Sequence, residues 1–266
     1  MKVGISHLID GGKKLDTFFK ESADAGYEVV ELCIRREGEL TPNVNFGTLK
    51  SIRKSAEDLG LTIDSVCHSH CTGNLLAGGE SQQRAIEETK IGLQIASELG
   101  AYCTLHTLGG LSHDLYYDVA YSNGVEALKA LAPTAESLNV AIAVEFVWNG
   151  FLFSPLEMRN FLREVGSDAV GFYFDPGNMA VFQFPHHWVH VLGSLIKMMH
   201  TKDWKGHALN GTWTPLLEGE VDFPAVMREL TACGYNRPLI SEVDAGLAPF
   251  KVTAESIRKI IKMTEA

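Results

Sequence analysis

No run of apolar residues in this 266-residue chain approaches the ~18 that a membrane-crossing helix needs. A bilayer span is therefore not expected. The first residues, Met-Lys-Val-Gly-Ile-Ser, lack the charged start and long apolar stretch of a secretory leader. Positive charge is scarce too: 23 Lys and Arg face 33 Asp and Glu, for a formal net charge of -10. A protein whose main partner is a polyanion normally carries a basic face, so nucleic acid is not the expected partner. Phosphorylated small molecules stay open, because a site needs only one or two local cations. The 5 cysteines, Cys33, Cys67, Cys71, Cys103 and Cys233, are odd in number and scattered. That speaks against a disulfide framework and for free thiols in a reducing cytoplasm. Low-complexity tracts, charge runs and Pro/Gly/Ser linkers are also missing, so residues 1–266 read as a single domain.

What is present is an ordinary globular balance, 45% hydrophobic and 21% charged, and a repeated pattern. A short apolar, β-branched run is followed by a loop and then by a stretch with helical spacing. Strands are expected at Val3–Ser6, Val29–Cys33, Thr62–His68, Tyr102–Thr107, Ala141–Phe146, Val170–Asp175, Ile196–Lys202 and Pro238–Val243. Helices are expected between them, at Leu15–Ala25, Thr48–Leu59, Gln82–Leu99, Gly124–Leu138, Pro155–Val165, Trp188–Leu195, Phe223–Cys233 and Thr253–Met263. Ser154-Pro155 offers a side-chain cap and a ring preset to helical φ. Gly26, Gly60, Gly100 and Gly234 follow helical stretches, where a left-handed residue ends a helix at little cost. Alternating strand and helix with near-continuous apolar strands predicts a single (β/α)₈ TIM barrel of the α/β class. A doubly wound open sheet is disfavoured, because no Gly-rich phosphate loop follows the first strand.

Active sites of such barrels sit at the carboxyl ends of the strands. The fifth strand ends in Glu145, the sixth in Asp175, the seventh in His200 and the eighth in Glu242, each directly after an apolar run. A lone acid at a strand end is most often a helix cap or a loop ion pair. Four chemistry-bearing residues in register on consecutive strands are harder to explain that way. A buried, unpaired carboxylate costs several kcal/mol, and three of them across one barrel mouth repel. A divalent cation removes the repulsion and supplies the missing partner. Three oxygen donors and one imidazole favour Mn²⁺ or Co²⁺, with Mg²⁺ or Zn²⁺ also compatible.

The chain resembles the xylose isomerase-like TIM-barrel superfamily of sugar isomerases, epimerases and related lyases. The resemblance rests on Gly26-Tyr27-Glu28-Val29-Val30-Glu31-Leu32, Val144-Glu145, Phe174-Asp175-Pro176-Gly177-Asn178 and His200-Thr201-Lys202-Asp203. It continues through Leu217-Glu218-Gly219-Glu220-Val221-Asp222-Phe223 and Ser241-Glu242, in that order along essentially the whole chain. It implies that Glu145, Asp175, His200 and Glu242 ligate one divalent ion, and that Glu145 and Glu242 act as acid and base on opposite faces of a substrate. It also implies a homo-oligomer. The ketose 3-epimerase branch tends to carry a further acid after the fifth-strand glutamate, where this chain has Val147-Trp148-Asn149-Gly150. It tends to have a histidine where this chain has Asn178, and an arginine after the seventh strand, where this chain has Lys205 and His207.

The expected reaction is metal-assisted removal of a carbon-bound proton from a small polyhydroxylated carbonyl compound, a carbohydrate, through an enediolate. Reprotonation of the same carbon gives epimerisation and of its neighbour isomerisation. Loss of a β-substituent makes the enzyme a lyase on a keto-polyol, keto-sugar or C-glycoside. Weaker alternatives are an abasic-site endonuclease, which would want a basic face, and an inactive sugar-binding subunit. Further substrate-facing candidates are Glu31, His68, His70, His106, Asn178, Lys202 and Asp203. His68 and His70, two apart, would share a strand face, and Lys202 or Asp203 would orient His200. Trp148, Phe151, Phe153, Trp188, Trp204 and Trp213 are candidates for an apolar wall against a sugar ring. Cys67-x-x-x-Cys71 lacks a second ligand pair and is not read as a zinc site.

Overall fold

The apolar runs become parallel strands wherever two buried faces are available, and here all of them close on one another. In the computed structural model, which describes residues 1–10 and 12–263, the barrel strands are β1 (Val3–Ser6), β2 (Val29–Cys33), β3 (Thr62–Cys67), β4 (Cys103–His106), β5 (Ala141–Glu145), β6 (Val170–Phe174) and β7 (Ile196–Thr201). Two strands outside the barrel follow, β8 (Asp203–His207) and β9 (Asn210–Thr214), and β10 (Leu239–Ser241) completes the ring. The closed order is β1-β10-β7-β6-β5-β4-β3-β2. The single domain was expected over 1–266; residues 11 and 264–266 lie outside the described residues.

The helices are α1 (Leu15–Asp24), α2 (Phe46–Glu57), α3 (Gly79–Leu99), α4 (Tyr117–Leu138), α5 (Pro155–Val165), α6 (Pro176–Ala180), α7 (Pro185–Leu192), α8 (Phe223–Ala232) and α9 (Phe250–Lys262). Their apolar faces cover the barrel and bury Phe18, Phe161, Trp188 and Ile257 completely. Ser154 Oγ caps α5 by accepting from the Glu157 N–H at 3.2 Å. Gly100 ends α3 with φ +79°, a conformation that costs a Cβ-bearing residue more than glycine.

Strand positions agree with the sequence reading to within one or two residues at the ends. The helices depart further: α4 starts at Tyr117, seven residues before the expected Gly124, and α3, α7 and α9 each start three residues early. Two features lie outside the expected elements. The stretch after β7 folds back as an antiparallel hairpin, with Asp203 paired to Thr214 and Trp204 to Trp213. The residues after Asp175 form the short helix α6. Both lie over the carboxyl ends of β5–β7 and shape the mouth.

Candidate active site

Strand parity decides which side chains enter the barrel. Cys33, Cys67, Cys103, Leu105, Ala143, Tyr173, Met198 and Ile240 form one interior cluster. Alternation then sends Glu31, Glu145, Asp175, His200 and Glu242 inward from their strands or strand ends. At the carboxyl end, one donor atom from each of Glu145, Asp175, His200 and Glu242 lies within 4.8 Å of the others. His200 Nδ1 is 3.3 Å from Glu145 Oε1 and 3.0 Å from Glu242 Oε2. The two glutamates thus approach one imidazole nitrogen from separate strand ends.

The other imidazole nitrogen is taken by Glu31. Its Oε1 lies 2.8 Å from His200 Nε2 and accepts from Ser6 Oγ at 2.6 Å. Its Oε2 accepts from Ser65 Oγ at 2.6 Å and Tyr173 Oη at 2.7 Å. Glu31 is fully buried and its lone pairs are spent, so it does not reach a substrate hydroxyl as the sequence reading expected. It is the carboxylate that fixes the ring of His200, the outer partner that ligand histidines usually have. That role was assigned in advance to Lys202 or Asp203.

Asp175 has two functions at once. Its Oδ1 caps α6, accepting from the N–H of Gly177 at 2.9 Å and of Asn178 at 3.3 Å. Its Oδ2 is buried and accepts no well-aligned hydrogen bond, although Lys202 Nζ lies 2.9 Å away. Gly177 lets this turn approach β7, since a Cβ there would sit 2.6 Å from the Lys202 Cβ. Lys202 Nζ also pairs with Glu242 at 2.7 Å. Asn178 Nδ2 donates to the Phe146 carbonyl at 3.0 Å and approaches Glu145 Oε1 at 3.4 Å. A buried carboxylate oxygen with a free lone pair, two further carboxylates and an imidazole held by its far nitrogen fit a divalent cation.

The surroundings separate the two glutamates. Burial brings the Glu145 carboxyl up to about 7, against the pull of His200. Burial also disfavours ionised Glu242, but Lys202 and His200 outweigh it and hold this carboxyl below the usual range. Burial opposes charge on His200, yet Glu31 and Glu242 raise it well above an ordinary histidine.

Other candidates fall elsewhere. By the same parity His106 leaves the barrel on the side of α3, where Nε2 meets Thr89 Oγ1 at 3.2 Å and Nδ1 accepts from the Leu108 N–H at 2.8 Å. β3 ends at Cys67, so His68 also turns outward, against Gly92 of α3 and edge-on to His106. Neither ring faces the mouth. Only His70, exposed on the following turn, does so, and there it feels the charge of Glu242. Gly92 leaves room for the His68 ring, with which an added Cβ would collide. Gly92→Ala is therefore expected to destabilise by about 1–3 kcal/mol, although alanine is the better helix former by ~1 kcal/mol. Urea denaturation checks this, and a variant as stable as the parent contradicts the packing.

Asp203 does not face the cluster either. Its Oδ1 accepts from the N–H of Trp204 and Val221, and its Oδ2 from Leu217 and Gly219. It thereby folds the 215–222 segment onto the hairpin. Trp213, on that hairpin, stacks on Trp148 at 5.3 Å and lies under Lys202 Nζ at 5.1 Å. Leu8, Ile9, Lys202, Trp213, Glu242 and Leu247 help line a cleft of about 260 Å³ that reaches the cluster at Glu242. Of the other aromatics, Trp188 is core, packed against Phe146 and Phe172, and Phe151 packs against Phe161.

Known proteins share this fold. Among curated proteins none matches the sequence. Solved structures of similar fold include a D-tagatose 3-epimerase-like protein, at 19% identity and TM-score 0.84, covering 100% of this chain and 98% of that one. An L-ribulose 3-epimerase is similar at 20% identity and TM-score 0.79, covering 99% and 94%. A 3-keto-D-glucoside 4-epimerase from E. coli is similar at 13% identity and TM-score 0.78, covering 98% of both. A sequence profile described as a xylose isomerase-like TIM barrel matches residues 19–263. The chain belongs to the xylose isomerase-like TIM barrel family.

Proposed function

We propose that this chain is a divalent-metal-dependent epimerase or isomerase of a small polyhydroxylated carbonyl compound. The observation that carries the reading is the convergence of Glu145 and Glu242 on His200 Nδ1, with Asp175 within the same 4.8 Å. Glu145, Asp175, His200 and Glu242 would hold the ion. When bound, it polarises a substrate carbonyl and stabilises the charge of an enediolate. Glu145 and Glu242 have separate environments, which suits an acid and a base in one site. One takes the carbon-bound proton and the other delivers a proton to the opposite face. Lys202, which lines the cleft beside Glu242, would meet a substrate oxygen. Trp213, which lines the cleft and is backed by Trp148, would offer an apolar surface to a ring.

That surface favours one second reading. The segment after Glu145 supplies Trp148 and no further acid, so the pocket also suits a cyclic or glycosidic ketone. Elimination from the same enediolate then makes the enzyme a lyase. Incubation of the metal-loaded protein in D₂O with ketoses, keto-inositols and keto-glycosides tests both. Deuterium at one carbon with inversion supports epimerisation, and a released β-group supports the lyase. No exchange with any of the three classes counts against both.

Glu31→Gln gives a separate check on the metal. Glutamine offers one acceptor oxygen where Glu31 uses two, so the clamp on His200 loosens. Mn²⁺ affinity is expected to fall about 10–100-fold with the fold retained, as read by calorimetric titration. Unchanged affinity contradicts the assigned role of Glu31.

A further inference from the structure

Two thiols and an imidazole meet at the β2–β3 edge of the mouth, apart from the four-residue cluster. Cys33 and Cys67 are register partners at the ends of their strands, both facing the barrel interior. The turn after β3 brings back His70, so one donor atom from each of the three lies within 4.8 Å of the others. All three are spaced by the fold and not by a sequence motif. Cys71, the nearer partner in sequence, is turned away, its Sγ donating to the His68 carbonyl at 3.2 Å. Both Cys33 and Cys67 are free thiols.

We propose that Cys33, Cys67 and His70 form a second metal site, selective for a thiophilic divalent ion of the Zn²⁺ or Cd²⁺ class, with its fourth position open to the mouth. Two sulfurs and one imidazole are soft donors, whereas Glu145, Asp175 and Glu242 offer hard oxygens, so the two sites sort ions by ligand type. Tetrahedral zinc spaces such donors by roughly 3.5–3.8 Å, so from separations within 4.8 Å the trio closes by no more than about 1 Å. His70 is exposed and sits on a turn, and can supply that movement by rotation of its side chain. Burial and the nearby Arg35 lower its pKa, against the pull of Glu242. The Cys33 contact and burial hold the Cys67 proton on. As each metal–sulfur bond forms, the thiol proton leaves to solvent, and affinity therefore rises with pH.

The site does not depend on the proposed reaction, and its test reads thiolate bonds directly. Full-length protein kept under a thiol-free reductant is titrated with Cd²⁺, and the ultraviolet sulfur-to-metal charge-transfer band is followed. The expected result is one saturable equivalent per chain, with affinity increasing as pH rises. Cys67→Ser should abolish the band, and His70→Ala, at an exposed position that leaves the core intact, should weaken binding by more than about tenfold. Asp175→Asn, which removes a ligand of the carboxylate site, should leave the band unchanged, so failure at one site is distinguishable from failure at the other. No band in the folded parent overturns the proposal, as does equal affinity in the parent and His70→Ala.

Discussion

Glu145→Gln and Glu242→Gln are each expected to slow solvent proton exchange into substrate by ~10²–10⁴-fold. Glutamine keeps the size of the side chain and one oxygen that can still ligate, but cannot carry a proton at neutral pH. Metal binding should therefore weaken less than turnover falls. The two variants should also differ. Glu145 is fixed by His200 and approached by Asn178, and burial holds its carboxyl near neutrality, at about 7. Glu242 is 21% exposed at the cleft and paired with Lys202 at 2.7 Å, so Glu242→Gln also releases the lysine. Its loss should appear partly as weaker substrate binding. The measurement is deuterium incorporation in each variant beside its Mn²⁺ affinity. Full exchange in either variant contradicts that residue's role as a proton carrier.

Asp203→Ala should be the most destabilising change near the mouth. Four backbone N–H groups, from Trp204, Leu217, Gly219 and Val221, donate to this one buried carboxylate. A donor left unsatisfied costs about 1–3 kcal/mol. Leu217 and Gly219 lie where water can reach them, which lowers the sum to roughly 3 kcal/mol in total. At roughly 2–4 °C per kcal/mol, Tm should fall by about 6–12 °C. Asp203→Asn keeps one acceptor oxygen and should fall between the two. Because this segment supports the hairpin that carries Trp213, substrate affinity should drop with stability, while the cluster itself stays in place. An unchanged Tm in Asp203→Ala shows that the 215–222 segment does not depend on the carboxylate.

The barrel was legible because each strand is a short apolar run with its own stop signal, and the last four lead into residues that apolar packing does not explain. Glu145, Asp175, His200 and Glu242 stand out in this way without any knowledge of contacts. The ambiguity at Asp175 was real: it is a helix cap through one oxygen and a member of the cluster through the other.

What the sequence hid was of two kinds. The partners of Glu31 come from β1, β3, β6 and β7, and no local pattern joins residues so far apart. His68 and His106 were misplaced for a different reason. His68 follows β3 and His106 ends β4, strands whose inward residues are fixed by parity, Ser65 and Cys67 on one and Cys103 and Leu105 on the other, so each histidine has to face α3. Parity alone groups His70 with His68; His70 reaches the mouth because β3 ends at Cys67 and a turn brings it back. The hairpin left a faint signal as well, two tryptophans equidistant from the Ala208-Leu209 turn.

The central claim is that Glu145, Asp175, His200 and Glu242 hold one divalent ion. Chelator-treated protein titrated with Mn²⁺ by calorimetry, with Tm followed in parallel, tests it most directly. One ion per chain is the predicted stoichiometry. At 100 times Kd the native state should gain about 2.7 kcal/mol, and the gain should vanish in Asp175→Asn. A parent protein that binds neither Mn²⁺ nor Co²⁺ and shows no rise in Tm contradicts the account.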